Sequence, residues 1–239
     1  PASLCFLKHW KEHLQDVDIV NTVEIYSSLS YQSAKRCRRD GKKSVIIVWE
    51  NLSNYPLYYL PPYKFYSDYV KKNADVFIAQ TYCAKMHLLR LGISEDQIVV
   101  LYPGVDITSF HPISKPTANG KLKILFVGGL TRHKGIVFLL EAFAKLVNLF
   151  PGLELTIVGK GPLKREVYHY ASRFKEIKYL GYVPSERTPR VYRDADIFCY
   201  PSINAKRFGL DYYNEQFGFS VVEAMSSGLP VVATDCGAL

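Results

Sequence analysis

The most informative part of the chain is the segment from Glu215 to Glu223, in which seven residues separate two glutamates. Gly218 lies between them, and the Ser-x-x-Glu pattern from Ser220 to Glu223 predicts the start of a short helix. A glycine before a helix lets a ligand approach the unpaired amides of the first turn, here Phe219 to Val222, and such amides bind anions. A carboxylate beside that site can accept hydrogen bonds from the hydroxyls of a ribose or hexose. The segment therefore predicts a site for a polyhydroxylated, anionic ligand.

The two glutamates differ in how well a structural role explains them. Glu223 could serve only to cap the helix by reaching back to a backbone amide, and the pair alone gives this interpretation about even odds. Glu215 lies on the loop before the helix, where the sequence shows no structural role for it. Glu215 is therefore the better candidate for chemistry.

A second loop carries two cations directly after a predicted strand. Val127 ends the strand, two glycines follow, and Arg132 and Lys134 precede a helix that is predicted to start near Gly135. A guanidinium fork and an ammonium point charge suit a diphosphate, and parallel sheets bind ligands at the carboxyl ends of their strands. Without that context, the loop would be interpreted as a solvated basic turn.

Two weaker signals complete the candidate residues. Gly159 and Gly161 form a Gly-x-Gly turn after a strand, and Pro162 takes the first helical position. The turn lacks the third glycine of a dinucleotide fingerprint, so a tight strand-to-helix turn is the favoured interpretation of each glycine. Glu50 directly follows the predicted strand 44–49, at the carboxyl edge where a site would form, although an acid in such a place is more often simply exposed.

Around these residues, short strands that are apolar on both faces alternate with helices. This alternation predicts an α/β fold with parallel sheets that carry helices on both faces. The predicted strands are 18–20, 44–49, 74–80, 97–101, 123–127, 153–158, 178–180, 197–200 and 231–234. The predicted helices are 26–39, 64–72, 83–91, 135–149, 163–174, 186–192 and 220–226.

The stretch 103–120 breaks the alternation because it is rich in Pro, Gly, Ser and Thr. It fits a connection between two α/β units. We therefore predict one domain over 1–112 and a second over 113–239. Neither domain looks complete, and we expect the chain to be a fragment of a longer protein.

The amino-acid composition limits the classes of binding partner but does not identify a particular one. The net charge is +8, of which residues 113–239 carry +6, and this favours an anionic partner. Five scattered cysteines without a C-x-x-C pair or zinc spacing are typical of reduced thiols in a cytosolic protein. No apolar run long enough for a membrane-spanning helix occurs, and no nucleic-acid-binding motif accompanies the charge. The basic run 35–43 is interpreted as a solvated helix end, with binding to an anionic membrane surface as a minority interpretation.

Taken together, the motifs resemble the retaining glycosyltransferases of family four (glycosyl transferases group 1), which have the GT-B fold of two Rossmann-like domains. The resemblance runs from about residue 16 to the end and is strongest over 124–237. It rests on Glu215-x-Phe217-Gly218, Glu223-Ala224-Met225, Gly228-x-Pro230, Lys134-Gly135, Val158-Gly159-x-Gly161-Pro162 and Tyr102-Pro103-Gly104-Val105-Asp106, with Phe110 and Pro112.

The resemblance implies a UDP-, GDP- or ADP-sugar donor, bound mainly by the second domain, and an acceptor bound by the first. Glu223 looks like the ribose ligand, Lys134 like the diphosphate cation and Glu215 like the acid that touches the donor sugar, which makes Glu215 and Lys134 the catalytic candidates. Glu50 would lie on the acceptor or sugar side. The implied donor-binding residues are Gly129, Arg132, Gly159, Gly161, Tyr182, Val183, Phe217, Gly218, Phe219, Ser220, Val221 and Glu223.

The implied reaction moves a hexose, with retention of its anomeric configuration, to a glycan, a lipid-linked acceptor or a small molecule. Catalysis in this class needs no metal and no cofactor, and passes through an oxocarbenium-like state while the protein stabilises the leaving diphosphate. The expected location is the cytoplasm, with the inner face of the membrane as a further option.

Two positions depart from the family pattern. Gly129 stands where the family usually has an arginine, with Arg132 as the candidate substitute, and Glu50 stands where a histidine is frequent. The glycine loop of the first strand on the acceptor side is not in this chain. A catalytically degenerate module that binds nucleotide sugars is therefore the alternative hypothesis.

Overall fold

The structure is a computed structural model that describes residues 14–52, 56–113, 120–207 and 210–239. The chain divides into two compact units. The first unit comprises Pro1–Pro103, Ala205–Phe217 and Ala238. The second comprises Gly104–Asn204, Gly218–Gly237 and Leu239.

The first unit is built on a four-stranded parallel sheet in the order β1-β2-β3-β4. Its elements alternate between strand and helix: β1 (Ile19–Val23), α1 (Ser28–Asp40), β2 (Lys43–Val48), α2 (Tyr63–Asn73), β3 (Val76–Ala79), α3 (Tyr82–Arg90) and β4 (Ile98–Val100). Ile46 and Phe77 lie in its core and are fully buried, which removes their apolar surface from water. Ser27 caps α1 with its side chain, and Gly41 ends it in the left-handed conformation.

The rest of the chain continues the alternation and adds one hairpin. The elements are β5 (Leu122–Val127), α4 (Ile136–Leu146), β6 (Leu153–Val158), α5 (Lys164–Arg173), β7 (Ile177–Gly181), α6 (Thr188–Arg193), β8 (Ile197–Tyr200), β9 (Ala205–Arg207), β10 (Leu210–Tyr213), α7 (Phe219–Ser226) and β11 (Val231–Ala233). The antiparallel pair β9 and β10 belongs to the first unit. The other strands form the parallel sheet of the second unit, in the order β11-β8-β5-β6-β7.

The strand order of the second unit reverses at β5. This strand comes first in the sequence, yet it lies between β6 and β8 in the sheet. In open parallel sheets, ligands bind in the crevice outside the carboxyl ends of the strands at such a switch point. A ligand site is therefore expected at the loops after β5 and β8.

The predicted α/β class with two Rossmann-like parallel sheets is confirmed. Every predicted strand and helix occurs, although element ends shift by up to three residues and α4 ends at Leu146 rather than at residue 149. The hairpin was not predicted, because strands of three and four residues, with the sequences AKR and LDYY, are too short to show a periodicity. Residues 114–119 of the predicted connection lie outside the described part of the chain.

Within the residues that the structure describes, no helix combines the length and the apolar composition that a membrane span needs. Over the same residues, no group of three or more His, Cys, Asp and Glu side chains could hold a metal ion.

Candidate functional site

Three strand-end loops of the second unit form one surface at the carboxyl edge of its sheet. The Leu130 amide, after β5, donates to the Lys160 carbonyl, after β6, at 3.0 Å. The Gly159 amide donates to the Gly181 carbonyl, at the end of β7, at 2.8 Å. The loops that carry the predicted diphosphate and nucleoside residues are therefore adjacent.

Gly159 is required by the close approach of two of these loops. Its φ is 142°, and a Cβ at this position would lie 1.8 Å from the Gly128 carbonyl oxygen. A side chain here would collide with the protein's own backbone. The tight-turn interpretation therefore explains Gly159, and its role in donor binding stays a prediction.

Gly129 has a different environment. A Cβ built there would meet no atom within 4 Å, and the backbone does not adopt the left-handed conformation. Arg132, the candidate substitute for the family arginine, is exposed. The backbone at Gly129 therefore accepts a Cβ without a clash, so packing does not require glycine there.

Lys134 is held at the switch point between β5 and β8. Its Nζ donates to the hydroxyl of Tyr200 at 2.7 Å and lies 5.2 Å from the centre of the Tyr200 ring. Tyr200 is the last residue of β8 and is buried. A second anchor is the His133 carbonyl, which accepts from the Ser202 hydroxyl at 3.1 Å and from the Ile203 amide at 2.8 Å. The ammonium group therefore has a defined position at the carboxyl edge of the sheet.

The start of α7 differs from the prediction. Gly218, with φ 77°, occupies the N-cap position, and no side chain caps the helix, so the capping box predicted for Ser220 and Glu223 is wrong. Gly218 can adopt the left-handed conformation, so the N-cap lies two residues before Ser220 and the helix begins at Phe219. The amides of Val221 and Val222 donate to the Gly218 carbonyl at 2.9 and 3.3 Å. These two of the four predicted anion-binding amides are therefore already used within the helix.

Glu223 has a side-chain partner instead of a backbone amide. Its Oε2 accepts a hydrogen bond of 2.7 Å from the hydroxyl of Tyr192, whose side chain is completely buried. Burial raises the pKa of the Glu223 carboxyl above its ordinary value, and the hydrogen bond from Tyr192 opposes that rise. Within the described residues, Oε1 has no hydrogen bond, so it can accept from a ligand.

A row of aromatic rings lies between Glu223 and Lys134, the side chains predicted to bind the ribose and the diphosphate. The ring centres of Tyr192 and Phe198 are 5.7 Å apart, and those of Phe198 and Tyr200 are 6.0 Å apart. Tyr192 holds Glu223 at one end of this row, and Tyr200 holds Lys134 at the other. The second unit therefore brings the predicted ribose and diphosphate ligands to one core cluster.

The predicted nucleoside side of this surface carries an exposed aromatic ring. Tyr182 is 65% exposed, and the Lys160 Nζ lies 5.0 Å from its ring centre. Val183 packs against the core, and the Tyr179 hydroxyl donates to the Gly159 carbonyl at 3.0 Å. An exposed ring can stack on a flat base.

In the first unit, two carboxylates fix the chain where it leaves β2. Glu24 Oε1 accepts from the amides of Trp49 and Glu50 at 2.9 and 3.2 Å. Glu50 Oε1 accepts from the amides of Asn51 and Leu52 at 2.9 and 2.8 Å. Four successive amides are therefore satisfied by two acids. Glu50 is 4% exposed, so the expectation of an exposed acid is wrong, while its acceptor-side role stays a prediction.

Glu24 was not singled out from the sequence. It has φ 62°, and its Oε2 is buried without a hydrogen bond to any described residue. Burial raises the pKa of this carboxyl to about 8, and the nearby Glu50 adds to the rise. Its amide partners lie 25 and 26 residues away, so local sequence gives no sign of them.

Glu215 also lies in the first unit and is buried. Its Oε2 accepts from the Tyr213 hydroxyl at 2.7 Å, and its carbonyl accepts from the Asn51 side-chain amide at 2.8 Å. The expectation that Glu215 has no structural partner is therefore wrong. Phe217 belongs to the same unit, with its ring centre 6.3 Å from that of Trp49.

The second unit therefore defines a Rossmann-like α/β protein whose switch point carries a fixed cation, a fixed carboxylate and glycine turns. The family model for glycosyl transferases group 1 matches residues 109–239. The chain belongs to this family, and the resemblance read from its motifs is confirmed.

Relatives and solved structures agree with this assignment. The D-inositol 3-phosphate glycosyltransferase of Nocardia farcinica is 33% identical over 185 residues, which cover 70% of this chain and 39% of that protein. The phosphatidyl-myo-inositol mannosyltransferase of Mycolicibacterium smegmatis is 33% identical over 138 residues, covering 56% of this chain and 33% of that protein. Anabaena HepE in complex with UDP has a TM-score of 0.74 at 18% identity over 95% of this chain and 62% of its own, which shows the fold. The chain spans about 40% of the length of the first of these curated relatives.

Proposed function

We propose that the whole protein is a retaining glycosyltransferase that moves a hexose from a UDP-, GDP- or ADP-sugar to a glycan, a lipid-linked acceptor or a small molecule. The donor binds to the predicted domain 113–239 and the acceptor to the predicted domain 1–112. One observation carries this proposal: Lys134 and Glu223 are each held by a buried tyrosine at the switch point of the second sheet.

The proposed roles follow the chemistry of each group. Lys134 binds the diphosphate, and its charge stabilises the leaving group as the sugar departs. Glu223 accepts hydrogen bonds from the ribose hydroxyls through Oε1, and Tyr182 contacts the base. Glu215 contacts the donor sugar. No step requires a metal, because the ammonium group supplies the charge that opposes the diphosphate.

A cytoplasmic location with peripheral contact to an anionic membrane is part of the proposal. The net charge of +8 favours such a surface. The named acceptor of the Mycolicibacterium smegmatis relative is a phosphatidyl-inositol lipid.

Alanine at Lys134 or Glu223 is expected to weaken binding of the preferred nucleotide sugar roughly 10- to 100-fold, because each removes a charged partner worth about 1.5–3 kcal/mol. Calorimetric titration with UDP-glucose, GDP-mannose and ADP-glucose measures this. Lys145→Ala and Glu141→Ala, at exposed positions on α4, are the matched controls. Unchanged isotherms for both site variants would refute the site assignment.

Arginine at Gly129 is expected to tighten binding of the preferred nucleoside diphosphate about tenfold, as one added charge-assisted contact provides. The first atom of the new side chain meets no obstacle, because no atom lies within 4 Å of a Cβ at this position. Binding of the corresponding nucleoside, which has no phosphate, should stay the same. If the affinities for the nucleoside and for the nucleoside diphosphate rise equally, or if neither rises, the diphosphate does not bind beside residue 129.

A catalytically degenerate nucleotide-sugar-binding module is the second candidate, favoured by the missing arginine at Gly129. It predicts donor binding without turnover. Sugar transfer or donor hydrolysis by the whole protein would exclude it.

A further inference from the structure

The side chain that holds Glu223 is itself fully buried and has two acceptors. The Tyr192 hydroxyl donates to Glu223 Oε2 at 2.7 Å and lies 3.2 Å from the Ser220 carbonyl oxygen. Both acceptors belong to α7, while Tyr192 belongs to α6. One phenol group therefore connects the first turns of α7 to a different helix.

The ring of Tyr192 cannot easily move. It is 0% exposed and contacts Phe198 of β8 and Phe110, with ring centres 5.7 and 5.5 Å apart. A ring held on two sides places its hydroxyl within a narrow range. That hydroxyl in turn selects which oxygen of Glu223 faces inward.

We propose that Tyr192 is a positioning residue for donor binding: it holds Oε2 of Glu223 and so presents Oε1 to the ribose hydroxyls. This inference rests on the proposed function for the ribose role of Glu223, but the Tyr192–Glu223 contact can be tested without any ligand. A carboxylate fixed in advance loses less side-chain entropy when the ligand binds. In this role Tyr192 acts through Glu223 and needs no contact of its own with the ligand.

Burial and the hydrogen bond from Tyr192 are the two influences on the pKa of Glu223. Within α7 it is the single charged residue. Among the described elements that pack on α7, β8 contributes Cys199 and Tyr200, and β11 (VVA) contributes none. Arg193 of α6 is directed to the Ser109 carbonyl and to His111. Tyr192 donates directly to Glu223, so the loss of its hydroxyl should change the pKa of the Glu223 carboxyl.

The first measurement uses the ligand-free protein with 13C-labelled glutamate carboxyls, in which the Glu223→Gln variant assigns the Glu223 signal. In Tyr192→Phe, which keeps the ring and removes the hydroxyl, the pKa of Glu223 is expected to move upward. Tyr200→Phe is the matched control, because it removes a neighbouring buried hydroxyl and leaves the Tyr192 contact in place. An unmoved Glu223 titration in Tyr192→Phe would overturn the proposal.

The second measurement uses UDP, GDP and ADP as probes, each compared with its 2′-deoxy form. Tyr192→Phe is expected to weaken binding of the preferred ribonucleotide about tenfold, the low end for a hydrogen bond to a charged group. The loss of affinity on acidification should begin at a higher pH than in the unmodified protein. Both effects should shrink with the 2′-deoxy probe and disappear in the Glu223→Gln background.

The two measurements separate this inference from the proposed function. If the Glu223 titration moves but no nucleotide binds, the contact stands and the donor-site proposal fails. If nucleotides bind and Glu223→Gln weakens them while Tyr192→Phe changes neither affinity nor its pH dependence, the donor site stands and the positioning role is wrong. If Tyr192→Phe still lowers the nucleotide affinity when Glu223 is already glutamine, Tyr192 does not act through Glu223, and the positioning role is again wrong.

Discussion

Replacing Gly159 with alanine is expected to lower the free energy of unfolding by roughly 3–5 kcal/mol, the combined scale of backbone strain and overpacking. The new Cβ would lie 1.8 Å from the Gly128 carbonyl oxygen, and the φ of 142° is rare for a residue with a side chain. The obstacle is backbone, so no side-chain rotation can relieve it. Chemical denaturation with global fitting measures the loss.

Gly129→Ala, on the neighbouring loop, is the matched control for this prediction. Its Cβ meets nothing within 4 Å, so the change should be neutral or stabilise by about 0.4–1 kcal/mol through the unfolded chain. Equal effects of the two substitutions would contradict the close approach of the β5 and β6 loops.

Replacing Glu24 with glutamine is expected to remove a large pH dependence of stability. The pKa of this carboxyl is about 8 in the folded protein, against an ordinary value of 4.5. The folded state therefore keeps a proton that the unfolded chain releases. This contribution to stability is complete below pH 4.5, declines as the pH rises, and is lost once the pH passes 8.

The size of this effect is on the order of 5 kcal/mol across the window, since each pKa unit corresponds to about 1.4 kcal/mol. Glutamine keeps an Oε1 for the amides of Trp49 and Glu50, so the local structure should persist. Unfolding curves at pH 5, 6, 7 and 8 should show the Glu24→Gln variant gaining stability relative to the unmodified protein at every step. Glu141→Gln, at an exposed position, is the control, and its free energy of unfolding should change with pH as that of the unmodified protein does. The same pH dependence in Glu24→Gln would disprove a neutral, buried Glu24.

The chain's elements were largely predictable because their signals are local. Strands such as β6, with the sequence LELTIV, show as apolar runs between turns, and β6 has the predicted bounds. The hairpin β9–β10 was not predicted, because its strands of three and four residues are too short to show a periodicity. Helix ends were accurate to a few residues, since several neighbouring residues can cap a helix.

The candidate site was predictable in its residue types and less so in their partners. Ser220 and Glu223 have the spacing of a capping box, yet Gly218 begins the helix and Tyr192 takes the carboxylate. The capping-box prediction failed because Glu223 accepts a hydrogen bond from the hydroxyl of the buried Tyr192. A four-residue motif cannot show a partner so far away in the sequence. Glu24 was not predicted as a buried residue for the same reason, since its amide partners Trp49 and Glu50 are distant in the sequence.

By itself, the sequence determined the α/β class, the family and the kinds of side chain that follow each strand, because periodicity and strand-end motifs involve neighbouring residues. The tertiary structure decided which group each side chain meets. Tyr192 lies 31 residues from Glu223, and Lys134 lies 66 residues from Tyr200. Such contacts depend on strand order and on helix packing across the sheet, which no local pattern encodes. The partners of Glu215 and Glu223 therefore follow from the packing within each unit and not from the motif that links them.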